Sequence, residues 1–158
     1  TGTQPAGWIG QDSNESTRTP RLIAEAGLRW ISDWPNDDQP YWMTVAPPIV
    51  SIPQQPDWDD VQLLWLRQQR MSRYVEIVDA AARRLASDGS ATGRTFSLPI
   101  HPWLLGQPHR IRYLEDAIVR LKQLPRVWWT TGNPIAEPVA HSMPPQPSIQ
   151  AVPNADSS

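Results

Sequence analysis

The sequence predicts an α/β protein in which parallel strands are flanked by helices. Two observations carry that reading. Short apolar runs alternate with helical segments along the chain, which is the order that builds a parallel sheet under packed helices. The central runs are near-continuously apolar, as strands covered on both faces are. No internal repeat competes with this reading.

Residues 1–18 are rich in Gly, Ser, Thr and Gln and read as loop. "TPRLIAEAG" is a short helix with Thr19 as N-cap, Pro20 at the first helical position and Gly27 as the stop. "LRWISDW", 28–34, is the first strand, and "PNDDQPYW" is the loop after it. "TVAPPIVSIP" holds a second strand around 49–52, between prolines that cannot sit inside a ladder. "DWDDVQLLWLRQQ" is a helix capped near Asp57. "SRYVEIVDAAARRLASDG" is a helix from Ser72 to Gly89, with Tyr74, Val78, Ala81 and Leu85 on one face. "RTFSLPI", 94–100, reads as a strand, and "RIRYLEDAIVRLKQL" as a helix striped by Ile111, Leu114, Ile118 and Leu121. "RVWWTT", 126–131, reads as a last strand, and "GNPIAE" opens a helix that Pro138 cuts short. The Pro-rich polar stretch 143–158 is expected to be a disordered tail on a domain of residues 1–142.

The 158 residues suffice for one domain with a modest core. A net charge of -2 offers no electrostatic grip on nucleic acid or an anionic membrane. No apolar run reaches the roughly 20 residues of a membrane helix. The absence of cysteine removes disulfides, thiolate metal sites and cysteine nucleophiles. The chain opens at Thr1 with no initiator Met, so its first residues read as the middle of something, and the expected location is the cytoplasm. Nine Trp stand against one Phe, and an indole suits a core or a cleft for sugars and amides alike.

Sites in parallel sheets form at the carboxyl ends of strands. The first strand ends at Asp33 and runs into Asp37 and Asp38, the 94–100 strand delivers His101, and the last delivers Thr130 and Thr131. If those strands are parallel, the three acids and His101 share a rim that Tyr41, Trp42 and Trp103 wall. Each has a plainer reading. His101 would then bond a loop carbonyl, Asp37 and Asp38 would be turn residues, Thr130 and Thr131 helix caps, and the aromatics core. His109 reads as a loop-fixing residue and His141 as a solvated one. There is no Gly-rich phosphate loop and no GxSxG. No two histidines have metal-ligand spacing, so this chain by itself is expected to hold no metal.

Taken together, "GWIG", "ESTRTPRLIAEAGLRWISDWPNDDQPYW", "SLPIHPWLLGQPHRIRYLEDAI" and "VWWTTGNPIAE" resemble the second half of a polysaccharide deacetylase (NodB-homology) protein, closest to the allantoinase-like subgroup. The resemblance covers roughly residues 2–137. It implies the C-terminal part of a distorted (β/α) barrel that hydrolyses a non-peptide C–N bond. It implies His101 as the general acid that protonates the leaving amine, with Asp33 orienting or tuning the base or His101, and Asp37 and Asp38 as alternatives. Trp34, Asp37, Asp38, Tyr41, Trp42 and Trp103 would then shape the substrate cleft. The family's catalytic base and its Asp-His-His set for a divalent metal, zinc, belong to a first half that this chain does not contain. Thr3 and Gln4 stand where the family carries an arginine, and Pro138 departs from a helix that related chains continue. The substrate implied is an N-acetyl sugar, or a small ureide in the allantoinase-like branch. The reading of a different class is a non-catalytic carbohydrate- or partner-binding remnant using the Trp-rich rim. An Asp-Asp pair and an HxxxH-like motif upstream of Thr1 would favour the enzyme. The open sheet edges of a half barrel also invite pairing with a second copy.

Overall fold

The computed structural model describes residues 2–142, and the stretch expected to form a tail lies outside them. Four short strands form one sheet: β1 (Gly7–Trp8), β2 (Trp30–Ile31), β3 (Tyr41–Met43) and β4 (Ile49–Ser51), in the order β1-β2-β4-β3. β1, β2 and β4 are parallel, with Gly7 opposite Trp30 and Trp30 opposite Val50. β3 runs antiparallel to β4, with Trp42 opposite Val50. The sheet is not closed into a barrel among the described residues.

Side chains alternate across a strand, and β4 shows the result. Ile49 packs with Ile31 against Ile23 and Ala24 of helix α1 (Thr19–Glu25). Val50 packs the other way, with Ile52 against Ala136 and Val139 of α5 (Gly132–Ser142). The sheet is thus covered on both faces, which explains its unbroken apolar reading. A separate helical core joins α2 (Met71–Asp88), α3 (Pro102–Leu105) and α4 (Ile111–Lys122). Tyr74, Val75, Val78 and Ala82 of α2 meet Leu105 of α3 and Ala117 and Leu121 of α4 there. The buried stripe of α2 is therefore rotated from the expected one, with Val75 and Ala82 inside and Ala81 and Leu85 half-buried. In α4, Ile111 is exposed and the small Ala117 sits at the contact.

Several local expectations are corrected. Segment 94–100 takes no regular secondary structure and joins no ladder. Pro99 lacks a donor, and Phe96 and Leu98 are taken up by the helical core instead of the sheet. Segment 126–131 also joins no ladder, and Trp128 and Trp129 are 63% and 55% exposed. A strand needs a paired neighbour, and none reaches this segment among the described residues. Within the first 18 residues, Gly7–Trp8 pairs with β2, and the loop "PNDDQPYW" ends in β3. Thr19 does not cap α1, because its Oγ1 accepts from Ser16 N–H, although Pro20 lies in the first turn and Gly27 takes φ +85 beyond the end as expected. The helix expected from Asp57 is instead a 3₁₀ turn, Pro56–Trp58, followed by a π-helical turn, Val61–Leu66. α5 continues through Pro138, because Val139 beyond it still finds the sheet.

One contact ties the two ends of this fold together. The Trp30 ring occupies the space where a Cβ on Gly7 or on Gly132 would lie, 1.9 and 2.5 Å from the nearest ring atoms. Its Nε1–H donates to Asn133 Oδ1 at 2.6 Å.

Candidate active site

β1, β2 and β4 are parallel, so the segments leaving their carboxyl ends emerge on one side of the sheet. The chain leaving β1 reaches Gly10, whose N–H donates to Asp33 Oδ1 at 2.7 Å. A Cβ on Gly10 would lie 3.0 Å from Asp33 Oδ2, so glycine permits this close approach. Asp33 is buried, and the Glu15 carboxyl lies against it. Burial first, and then the charge of Asp33, push Glu15 above the usual carboxylate range. Burial raises Asp33 as well, opposed by the Gly10 hydrogen bond. Asp33 Oδ2 and both Glu15 oxygens are shielded from water and make no well-formed hydrogen bond, and the Trp34 side chain beside Glu15 opposes its shift.

The chain leaving β4 turns through Pro56–Trp58 to Asp59 and Asp60. These acids open the π-helical turn, where backbone N–H groups point outward unsatisfied. Asp59 Oδ1 accepts from Gln62 N–H at 3.0 Å, and Asp60 Oδ1 from Val61 N–H at 2.9 Å. Asp60 is 0% exposed. Its Oδ2 accepts the backbone N–H of His101 at 2.8 Å, and its Oδ1 faces His101 Nδ1 at 2.6 Å.

His101 reaches this partner from the end of the 94–100 segment. That segment is pinned by Trp58, whose Nε1–H donates to Ser97 O at 2.6 Å and whose ring stacks on Phe96 at 5.0 Å. Pro102 forces His101 into extended backbone and opens α3, whose first N–H groups, on Leu104 and Leu105, donate back to His101 O. The His101 side chain is 33% exposed and leans edge-on toward Trp103, which meets Trp65 in the same way. The hydrogen bond to Asp60 raises the imidazole above its ordinary value, partial burial opposes the shift, and the charges of Asp60, Asp59 and Asp12 add to it. With Nδ1 committed to Asp60, Nε2 is the nitrogen left to exchange a proton.

The remaining residues singled out from the sequence fall into two groups. Trp34, Tyr41 and Trp42 line one open concavity of roughly 330 Å³ together with Asn36, Met43, Thr44 and Val45. Trp103 lies beside His101 instead. Asp37 Oδ1 accepts from Asp38 and Gln39 N–H and shapes the turn there. Asp38 pairs with Arg94, Nε to Oδ2 at 3.0 Å, and its carbonyl accepts Thr95 N–H, which fastens the turn to the segment leading to His101. Thr130, Thr131 and His109 are exposed, and His141 Nδ1 lies 2.8 Å from Glu137 O. No hydrogen bond or ion pair joins Asp33 to His101 among the described residues.

Sequence reasoning missed Asp60 and Glu15. The signal for Asp60 was the doubled acid in "DWDDV", where one carboxylate suffices for a cap. Asp59, Asp60 and His101 each offer a ligand atom within 4.8 Å of the others. Their arrangement does not fit a cation. Bonds of about 2.0–2.2 Å to a tetrahedral ion hold ligand atoms roughly 3 Å or more apart, whereas Nδ1 and Oδ1 are at direct hydrogen-bond distance.

No family model matches the chain, and no curated protein matches it. Among the solved structures that share its fold are two crystal structures. Puue allantoinase aligns over 92% of this chain at 26% identity with a TM-score of 0.78, covering 49% of its own length. A protein from Mycobacterium smegmatis, provisionally assigned as a polysaccharide deacetylase, aligns over 96% at 24% identity with a TM-score of 0.76, covering 55% of its own length. The chain thus spans about half the length of each.

Proposed function

We propose that this chain, whose fold is shared by part of an allantoinase and part of a protein assigned as a polysaccharide deacetylase, is the acid-donating half of a NodB-like site that hydrolyses a non-peptide carbon–nitrogen bond. The observation that supports this is the buried Asp60 carboxylate held against His101 Nδ1, which keeps a proton on a partly exposed imidazole. Water adds to the amide carbonyl and gives a tetrahedral intermediate. As that intermediate collapses, the C–N bond breaks, its electron pair passes to nitrogen, and His101 Nε2–H supplies the proton. Asp60 stabilises the imidazolium and fixes the ring, as a carboxylate behind a catalytic histidine does.

Asp33 positions the 10–15 segment in this scheme, and Asp37 and Asp38 hold the turn that carries the aromatic wall. Trp34, Tyr41 and Trp42 form one side of the cleft and Trp103 the other. The substrate is the amide of an N-acetyl sugar or a small ureide. The activating base lies outside residues 2–142, as do the ligands of any divalent metal. Residues 1–142 form one part of a catalytic domain.

The test is a hydrolysis assay on N-acetylated sugars and on ureides, with the longest form of the protein that turns over. His101→Ala is expected to lower kcat by about 10²-fold or more. Asp60→Asn is expected to lower kcat and to move the alkaline limb of the pH profile to lower pH. Unchanged kcat in both variants would overturn the assignment.

A further inference from the structure

Three carboxylate oxygens at the end of β2 are shielded from water and make no well-formed hydrogen bond: Asp33 Oδ2 and both oxygens of Glu15, with the Trp34 indole the one donor beside Glu15. Asp33 is 5% exposed. Two ionised carboxylates cannot satisfy one another, since both only accept, and buried unpaired charge is costly. A single proton between them removes both problems, because a neutral carboxyl gains a donor and one charge disappears. The groups that face the pair are the Gly10 N–H on the β1 side and the Trp34 side chain after β2. No Lys, Arg or His is paired with either carboxyl among the described residues.

The pair closes on a strained stretch of chain. Between Gly10 and Glu15 runs a 3₁₀ turn, Gln11–Ser13, in which Asp12 and Ser13 take φ of 53° and 54°. Non-glycine residues hold that conformation only where their surroundings enforce it. One end of the turn is fixed by Gly10 N–H on Asp33, and the other by Glu15 against the same carboxyl. Asp12, inside it, is one of the negative charges that act on His101.

We propose that Glu15 and Asp33 share one proton, carried by Glu15 and donated to Asp33 Oδ2, and that this clasp holds the 11–13 turn so that Asp12 faces His101. Glu15 is then a positioning residue, acting on the imidazole through Asp12. Its relevance to catalysis rests on the function proposed above, but the clasp itself does not.

The experiment is a pH titration by NMR of the carboxyl carbons of Glu15 and Asp33 and of the His101 ring, on the full 158-residue chain. Glu15 is expected to titrate above the ordinary glutamate range, and a midpoint inside that range overturns the shared proton. Glu15→Gln keeps a donor toward Asp33 and adds no charge, so the His101 midpoint should stay unchanged. A lowered midpoint there means that Glu15 carried a charge, and it overturns the proposal. Glu15→Ala removes the clasp. It should lower the His101 midpoint and speed amide exchange of residues 11–14 at least tenfold, and unchanged values for both overturn the positioning role. Should Glu15→Ala fail to fold, the wild-type and Glu15→Gln titrations still decide. These readouts need no substrate, so failure of the hydrolysis assay leaves them standing.

Discussion

At Asp60 one carboxylate takes three donors: Val61 N–H, His101 N–H and His101 Nδ1. That is close to the capacity of a carboxylate, and it explains how a charged group persists at full burial. Asp60→Asn keeps the volume but leaves one oxygen and an NH₂ where only acceptors fit. The expected cost is about 1–3 kcal/mol of stability, together with a lower His101 midpoint, read from urea unfolding and ring NMR. A contrast lies nearby. The Tyr74 hydroxyl is buried without a partner, and burial with the charges of Asp60 and Asp59 pushes its pKa up. Tyr74→Phe removes that polar burden, so stability should hold or rise by up to about 1 kcal/mol in the same unfolding experiment. Gly7→Ala places a methyl inside the Trp30 ring and should cost about 1–3 kcal/mol through forced repacking. An unaltered urea midpoint would show that the ring moves freely.

At the scale of elements, what was legible in the sequence was what local chemistry controls. β2 and β4 were readable because their residues are apolar on both faces, and α2 and α4 because their stripes repeat at helical spacing. Segments 94–100 and 126–131 look the same in the sequence, yet neither joins the ladder. Pairing depends on which neighbour is present, and no local pattern encodes that. The site was divided in the same way. His101 was legible as a histidine leaving an apolar run. Asp60 was not, because its partner lies 41 residues away and a carboxylate before a helix has an ordinary use as a cap. Glu15 was illegible for a related reason: its burial follows from the path that Gly10 gives the chain after β1, a tertiary effect. The exposed indoles of Trp128 and Trp129 follow the same rule, since their pattern anticipated a covering that the described residues do not supply.

At the scale of the whole molecule, the raised groups set how stability depends on pH. His101, Glu15 and Asp33 all sit above their ordinary values in the folded chain. The folded state therefore binds more protons than the unfolded one between each ordinary value and its raised counterpart, and stability falls as pH rises through that window. The carboxyl pair acts from the carboxylate range upward, and His101 from the imidazole range upward. Urea midpoints measured from about pH 4 to about pH 9, which spans both ranges, should decline across the interval. Glu15→Gln should flatten the part of the decline that begins in the carboxylate range. A midpoint that climbs across this interval would contradict the raised values. No helix among the described residues is long and apolar enough to cross a membrane.

The Trp30 ring touches the first strand and the last helix at once. Neither can peel away without uncovering the indole, so fraying at one end is reported at the other. Hydrogen exchange should then find the amides of β1 and α5 opening as a single cooperative unit with a common free energy, although more than a hundred residues of sequence separate them.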